Sequence, residues 1–245
     1  MEPVSRNRHA VTAHLTPRLV LSCVVLFLLT GVSLQRNDLY RTEERLLADM
    51  AQKSPGKPRA FYNLGCLEYE QGKYDDAIRN LSRSLELYQN RKSDDKRATG
   101  FFAHAHAVRG SVYLKLSRVD RALDDLNTAI ALDPFSADAY RRRSVALREA
   151  RWFSEAIEDL NVVIQLDPAD AASYRERGVL FERTSDPVRA IEDLTEAVSL
   201  DPADAEAYLE RAKAYGKQGD RSLELKDYEK ACELGVKAGC EAARK

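Results

Sequence analysis

The chain carries almost no excess of one charge, since 38 Lys and Arg residues stand against 39 Asp and Glu residues among 245. A duplex-binding domain normally shows a clear excess of lysine and arginine, because phosphate contacts supply much of its affinity. Nucleic acid is therefore not an expected partner. The four cysteines, at positions 23, 66, 232 and 240, lack the Cys-x-x-Cys spacing of a zinc site. We accordingly predict no metal.

Motifs of catalysis are also missing from the sequence. There is no Gly-rich phosphate loop, no Gly-x-Ser-x-Gly turn and no His-Glu-x-x-His pair. His104 and His106 are two residues apart, so on a helix they point to different faces and cannot share one ion. We predict no catalytic residue and no cofactor, and we interpret the protein as a non-enzyme.

Only one long apolar run exists, Leu19–Leu34, near the amino terminus. Its 16 residues are fewer than the roughly 20 of a spanning helix and more than the roughly 7–15 of a signal-peptide core. We predict a retained transmembrane anchor over 19–35 after a cytoplasmic segment 1–18. The alternative is a signal peptide cleaved near Ser33, within the triplet Gly31-Val32-Ser33, which would release a secreted or periplasmic protein.

The orientation of such an anchor depends on the basic residues around it. Three arginines precede the run and three follow it, so the positive-inside count is tied. Signal-like termini begin with basic residues and stay in the cytoplasm. The sequence therefore predicts a single-pass protein of the inner (cell) membrane, with the rest of the chain facing the periplasm or exterior.

A regular repeat dominates the rest of the chain. Leu-Asp-Pro recurs at 132–134, 166–168 and 200–202, and alanines and tyrosines recur at the same interval. A period of about 34 residues marks helix-turn-helix units that bury their apolar faces only by stacking. Each proline ends the second helix of a unit, because it lacks an N–H donor and disfavours helical geometry in the residue before it. Small residues, which allow two helices to approach closely, recur at Gly65, Gly110, Ser144, Gly178 and Ala212.

Residues 58–91 contain Phe61-Tyr62-Asn63-Leu64-Gly65, then Gln71-Gly72-Lys73-Tyr74 and Ala77-Ile78, and this pattern resembles the tetratricopeptide repeat (TPR) consensus. The resemblance implies an all-α fold, an α-α superhelix of about five hairpins. The predicted units are 58–91, 103–136, 137–170, 171–204 and 205–238, with an insertion at 92–102 and a half-repeat capping helix within 36–57.

Both ends of the array carry further resemblances. Ala231-Cys232-Glu233-Leu234-Gly235 and Gly239-Cys240 resemble Sel1-like repeats, which implies a capping helix within 236–245. The resemblance also implies a Cys232–Cys240 disulfide if this part of the chain is exported, and two buried thiols if it stays in a reducing cytosol. Segment 36–65 resembles the repeat-bearing region of multi-span glycosyltransferase-like membrane proteins, whose repeats face away from the cytoplasm. That likeness supports the orientation above. It also raises an alternative role as an accessory or regulatory module of a membrane glycosyltransferase or envelope assembly system.

The resemblance to the TPR family further implies that the first helix of each hairpin lines a concave groove that receives a protein or peptide. Basic residues outnumber acidic ones there, which leaves two interpretations: a groove that prefers an acidic or carboxylate-ended peptide, or a solvated surface of mixed charge. The pattern by which chaperone-docking members hold a carboxylate is missing, since Cys66, Val108 and Asp138 occupy the matching positions. The predicted groove residues are Tyr62, Tyr69, Lys115, Arg141, Arg148, Arg175, Arg183, Lys213 and Lys217.

Arginine and aspartate also recur at one fixed separation in four units, which places each pair across one hairpin. We interpret these pairs as structural ion pairs and not as a row of ligand-binding arginines. The pairs are Arg109 with Asp125, Arg143 with Asp159, Arg177 with Asp193 and Arg211 with Asp227.

Overall fold

A computed structural model describes residues 43–90 and 96–244 of the chain. The predicted anchor or signal peptide at 19–35 and the segment 1–18 lie outside the described residues. Within these two ranges no helix is both long and apolar enough to cross a bilayer.

The described residues form twelve helices and no strand. The helices are α1 (Glu43–Lys53), α2 (Pro58–Glu70), α3 (Tyr74–Gln89), α4 (Lys96–Lys115), α5 (Val119–Leu132), α6 (Ala137–Glu149), α7 (Phe153–Leu166), α8 (Ala171–Arg183), α9 (Pro187–Leu200), α10 (Ala205–Gln218), α11 (Arg221–Glu233) and α12 (Lys237–Ala242).

Helices α2 to α11 pack as five consecutive hairpins, and each hairpin also contacts the next. The prediction of an all-α array of stacked hairpins is therefore confirmed. In the fourth hairpin, Gly178 faces Leu194, and a Cβ added to this glycine would lie 2.8 Å from the leucine Cγ. In each of the first four hairpins the second helix places one leucine in the core, fully removed from solvent: Leu81, Leu126, Leu160 and Leu194.

Three of the second helices, α5, α7 and α9, end on the leucine of a Leu-Asp-Pro triplet, as the proline predicts. The aspartate then organises the turn. The Asp133 carboxylate, for example, accepts a hydrogen bond of 3.2 Å from the Phe135 N–H. Such a side-chain bond stands in place of the backbone hydrogen bonds of the helix and forms a turn. The next helices then begin after Ser136, Asp170 and Asp204.

The predicted insertion 92–102 is partly helical, because α4 begins at Lys96 and is 20 residues long, against 13 or 14 for the other first helices. Aromatic contacts hold this extension on the first hairpin. The Phe101 ring centroid lies 4.6 Å from that of Tyr62 and 4.7 Å from that of Tyr88. The period did not reveal this extension, since it has no counterpart in the other units.

The two ends of the array are covered differently. At the first end, Leu47 of α1 packs against Ala60 and Leu64 of α2. The side chains of Leu46 and Met50 on the same helix are more exposed, at 37% and 44%.

At the other end, α12 packs on α11 through Gly239, where an added Cβ would lie 2.8 Å from the Tyr228 carbonyl oxygen. The structure joins Cys232 and Cys240 by a disulfide, with Sγ atoms 1.94 Å apart, and this bond ties α12 to the last hairpin.

Candidate functional site

Four bidentate ion pairs run through the array, one in each hairpin from the second to the fifth. In the fourth hairpin, Arg177 Nε donates to Asp193 Oδ2 and Nη2 donates to Oδ1, both at 2.7 Å. The aspartates are between 3% and 7% exposed, so they are carboxylates inside the core. The remaining pairs, Arg109–Asp125, Arg143–Asp159 and Arg211–Asp227, repeat this geometry at 2.7–2.9 Å.

Each of these arginines also contacts the hairpin before its own. Arg177 Nη1 donates to Asn161 Oδ1 at 2.7 Å, and Arg143 Nη1 donates to Asn127 Oδ1 at 2.8 Å. Arg109 and Arg211 reach Ser82 and Thr195 in the same way. One guanidinium thus joins two helices of its own hairpin to the preceding one, which confirms the structural interpretation of these pairs.

The second hairpin adds a histidine to its pair, because His106 Nδ1 lies 2.8 Å from Asp125 Oδ1. Burial raises the pKa of the Asp125 carboxyl, but hydrogen bonds with Arg109 and His106 outweigh burial and hold this pKa below its usual value. His104 instead packs near the Tyr62 ring, with centroids 5.9 Å apart. Among residues 43–90 and 96–244, no three His, Cys, Asp or Glu side chains are grouped to hold a metal ion.

Two of the predicted groove arginines also make contacts between hairpins. Arg141 Nη2 donates to Asp170 at 2.7 Å, and Arg175 Nη1 donates to Asp204 at 2.5 Å. Both aspartates are the N-cap residues of the next first helix. Arg141 and Arg175 therefore position successive helices, and a change at either one would disturb the frame of the array.

A concavity of about 580 Å³ opens between the first three hairpins, and we call it the central groove. Its apolar lining residues are Leu114, Val119 and Val145, and three cations from α4 and α6 also line it. The full lining comprises Tyr69, Ser111, Leu114, Lys115, Ser117, Val119, Arg142, Val145, Arg148 and Glu149.

Three of the nine predicted residues, Tyr69, Lys115 and Arg148, meet in the central groove. Tyr62 instead packs beneath Phe101, and burial raises the pKa of its hydroxyl well above the usual value. The remaining cations lie further along the array with partners of their own. Lys213 pairs with Glu210 at 2.7 Å, Lys217 with Glu182 at 3.1 Å, and the Arg183 guanidinium lies 5.9 Å from the Phe153 ring centroid.

Sequence reasoning missed Arg142, whose side chain crosses from α6 towards α4. Its Nε donates to Asp138 at 2.7 Å and its Nη1 donates to Ser111 at 2.6 Å. Ser111 and Val145 hold the same position in consecutive repeats, and the period could have identified them as lining residues. The contacts with Asp138 and Ser111 hold the guanidinium of Arg142 at the edge of the groove.

Glu176 on α8 is an acid near three arginines of the first helices α6 and α8. Burial raises the pKa of its carboxyl, and the charges of Arg148, Arg175 and Arg141 offset only part of that rise. Between the ordinary glutamate pKa of 4.5 and the raised value, the folded state binds more protons than the unfolded state. Stability contributed by this group therefore falls as the pH rises through that window.

We expect the Glu176→Gln variant to be more stable than the wild type at neutral pH, because the amide needs no ionisation in a half-buried place. The gain should shrink towards zero below pH 4.5, where the wild-type carboxyl is protonated in both states. Thermal unfolding of both proteins across this range measures the difference. Glu206→Gln, an exposed acid on α10, is the control and should show no such pH-dependent gain. A Glu176→Gln gain that is constant with pH would contradict the assignment.

The tetratricopeptide repeat family matches residues 58–91, 107–171 and 205–234, and a related TPR repeat family matches 189–219. Among curated proteins, no sequence matches significantly. Solved structures with the same fold include MamA, 24% identical with a TM-score of 0.62, over 72% of this chain and 91% of that one. YrrB, described as a TPR protein with an unusual peptide-binding site, is 16% identical with a TM-score of 0.63, over 81% of this chain and 98% of that one. PilF of Pseudomonas aeruginosa is 20% identical with a TM-score of 0.63, over 73% of this chain and 77% of that one.

Proposed function

Because this chain belongs to the tetratricopeptide repeat family, we propose that it is an interaction scaffold whose central groove holds an extended acidic segment of a partner protein. Proteins built from such repeats are typically non-enzymatic scaffolds. YrrB is a TPR protein with a peptide-binding site, and the same kind of ligand suits the groove of this chain.

The observation that carries the proposal is the composition of the central groove. Lys115, Arg142 and Arg148 line it together with apolar residues, and two acids lie beside these cations, Glu149 3.7 Å from Arg148 and Asp138 2.7 Å from Arg142. Guanidinium groups form paired, charge-assisted hydrogen bonds with carboxylates. The apolar lining residues suit an apolar side chain next to those carboxylates. A peptide that alternates Asp or Glu with Leu or Phe fits both features.

We expect the Lys115→Glu/Arg148→Glu variant to bind such a peptide at least about tenfold more weakly, because like charges oppose each other across an interface. The probe is a blocked, fluorescein-labelled peptide of alternating Glu and Leu, and fluorescence anisotropy gives its Kd. Circular dichroism checks the fold, which should persist because both side chains reach the surface.

The matched control is Lys226→Glu/Lys237→Glu, which makes the same change of net charge on exposed residues of α11 and α12. It should bind within about twofold of the wild type. Equal weakening by both double variants would mean that net charge, and not the groove, governs binding. Absence of wild-type binding would refute the acidic segment as ligand.

We further propose that the scaffold is held at the outer face of the inner membrane by Leu19–Leu34. Support comes from the apolar run itself and from the basic start of the chain, with Arg6, Arg8 and Arg18, which is typical of signal-like termini that stay in the cytoplasm. Recovery of peptides preceding Ser33 from the membrane fraction by mass spectrometry tests this, whereas a mature terminus just after Ser33 would instead mean a released protein.

The second candidate, an accessory module of a membrane glycosyltransferase or envelope assembly system, is favoured by the likeness of segment 36–65 to the corresponding region of such enzymes. Crosslinking in intact cells separates the two. Recovery of a polytopic transferase as the dominant partner favours the accessory module, and other envelope proteins favour a general scaffold.

A further inference from the structure

A second concavity, of about 480 Å³, lies between the second helices α5 and α7 and shares no lining residue with the central groove. We call it the acidic cleft. Leu123, Leu147 and the Trp152 side chain form its apolar part. Trp152 is 53% exposed, so its indole ring is accessible to a ligand in the cleft. The polar lining consists of Asp120, Asp124, Asn127, Arg143, Glu155, Glu158 and Asp159.

Five of these lining residues are acids, but only one is neutralised by a neighbour. Asp159 forms the bidentate pair with Arg143 described above. Within the described part of the chain, the exposed carboxylates of Asp120, Asp124, Glu155 and Glu158 make no ion pair. The cleft therefore concentrates four unbalanced negative charges beside one exposed indole.

The second and fourth hairpins contain a cation at the position where the third hairpin has Glu155. The equivalent residues, one repeat period away on each side, are Arg121 and Arg189. Arg189 lies 4.3 Å from the ring centroid of Phe181, and Arg121 lies 5.8 Å from that of Tyr113. In both neighbours a guanidinium covers an aromatic ring on this side of the hairpin.

A second cation is also replaced at this junction. Trp152 is equivalent to Arg118, whose guanidinium lies 3.9 Å from Asp75 of the preceding hairpin. Asp120 is the equivalent of Asp75, and it lines the acidic cleft together with Trp152, where the earlier junction has an arginine. The junction between the second and third hairpins thus lacks both internal cations and keeps the acids.

We propose that the acidic cleft binds an arginine or lysine side chain from a basic segment of a partner protein, which supplies the cation that this junction lacks. The indole is the aromatic face that binds a guanidinium or ammonium most strongly. Leu123 and Leu147 contact the methylene stem of the bound side chain, and the carboxylates of Glu155 and Glu158 accept its N–H bonds.

This inference is independent of the ligand of the central groove, because the two concavities share no residue and carry opposite charge. One scaffold can therefore hold an acidic segment and a basic segment at the same time. That arrangement is suited to bringing two partners together.

Trp152 is the only tryptophan of the chain, so its fluorescence reports directly on the cleft. The full chain is titrated with a blocked pentapeptide, Gly-Arg-Gly-Arg-Gly, and with the same peptide containing citrulline, a neutral isostere of arginine. We expect a saturable change of emission with the arginine peptide, weakened by salt, and none with the citrulline peptide.

Glu155→Gln/Glu158→Gln should weaken the apparent Kd for the arginine peptide at least about fivefold. The matched control, Glu192→Gln/Glu196→Gln, removes two exposed charges from α9, where Arg189 is present, and should stay within about twofold. Circular dichroism confirms that all variants fold. An equal response to the citrulline peptide, equal Kd values for the two double variants, or no saturable response would each overturn the proposal.

Discussion

Arg177→Ala is expected to lower the free energy of unfolding by about 3 kcal/mol, because it leaves a buried carboxylate without its partner. The Asp193 side chain is 9% exposed and receives two hydrogen bonds from this arginine. Loss of one member of a fully buried pair costs about 3–5 kcal/mol, and the 18% exposure of Arg177 places the value at the lower end. Urea unfolding followed by circular dichroism measures it.

Arg183→Ala, on the same helix α8, is the control for this change. Its side chain is exposed and its guanidinium lies 5.9 Å from the Phe153 ring, so a cost below about 1 kcal/mol is expected. Capture of the acidic peptide should survive Arg177→Ala under conditions where the variant is folded, since Arg177 is not in the central groove. Equal losses for the two variants would show that the ion pair contributes no more than a surface charge.

Leu160→Ala is expected to be the most damaging single change in the core, at about 3–4 kcal/mol. Leu160 is fully buried in the middle hairpin, within the largest apolar cluster of the structure. Truncation leaves a cavity that the packed alanines around it, such as Ala122 and Ala156, are too short to fill. In a repeat array a weakened central unit also weakens the coupling between its neighbours.

The control is Leu166→Ala, further along the same helix α7, where the side chain is 40% exposed. We expect a loss below about 1 kcal/mol there. If both leucines cost the same, the hairpins would not be packed as described. A broadened or two-step urea transition for Leu160→Ala would show the decoupling directly.

Most of the frame could be predicted from the sequence because its rules are local and repeated. The proline of each Leu-Asp-Pro ends a helix by steric exclusion, wherever the neighbours lie. Arg177 and Asp193 face each other because one turn separates two helices of constant length. Because the same residue types recur in successive units, the helix end and the ion pair predicted for one unit are predicted for the next as well.

The site was harder to predict, because its residues come from helices whose relative rotation has no signature in the sequence. Arg141 has the features of a groove residue, yet it bonds to Asp170, an N-cap of the following helix. Arg142, one residue on, lines the groove instead. A difference of about 100° around a helix decides between these roles. The helical extension before residue 103 was equally hidden, since it departs from the period.

The bonds from Arg143 to Asn127 and from Arg177 to Asn161 have a consequence for how such a chain can change in evolution. Both junctions use the same pair of residue types at the same repeat positions. An inserted second copy of residues 137–170 would present an arginine to the asparagine before it and an asparagine to the arginine after it. The groove could lengthen by one unit through gene duplication alone, with no new interface to be selected.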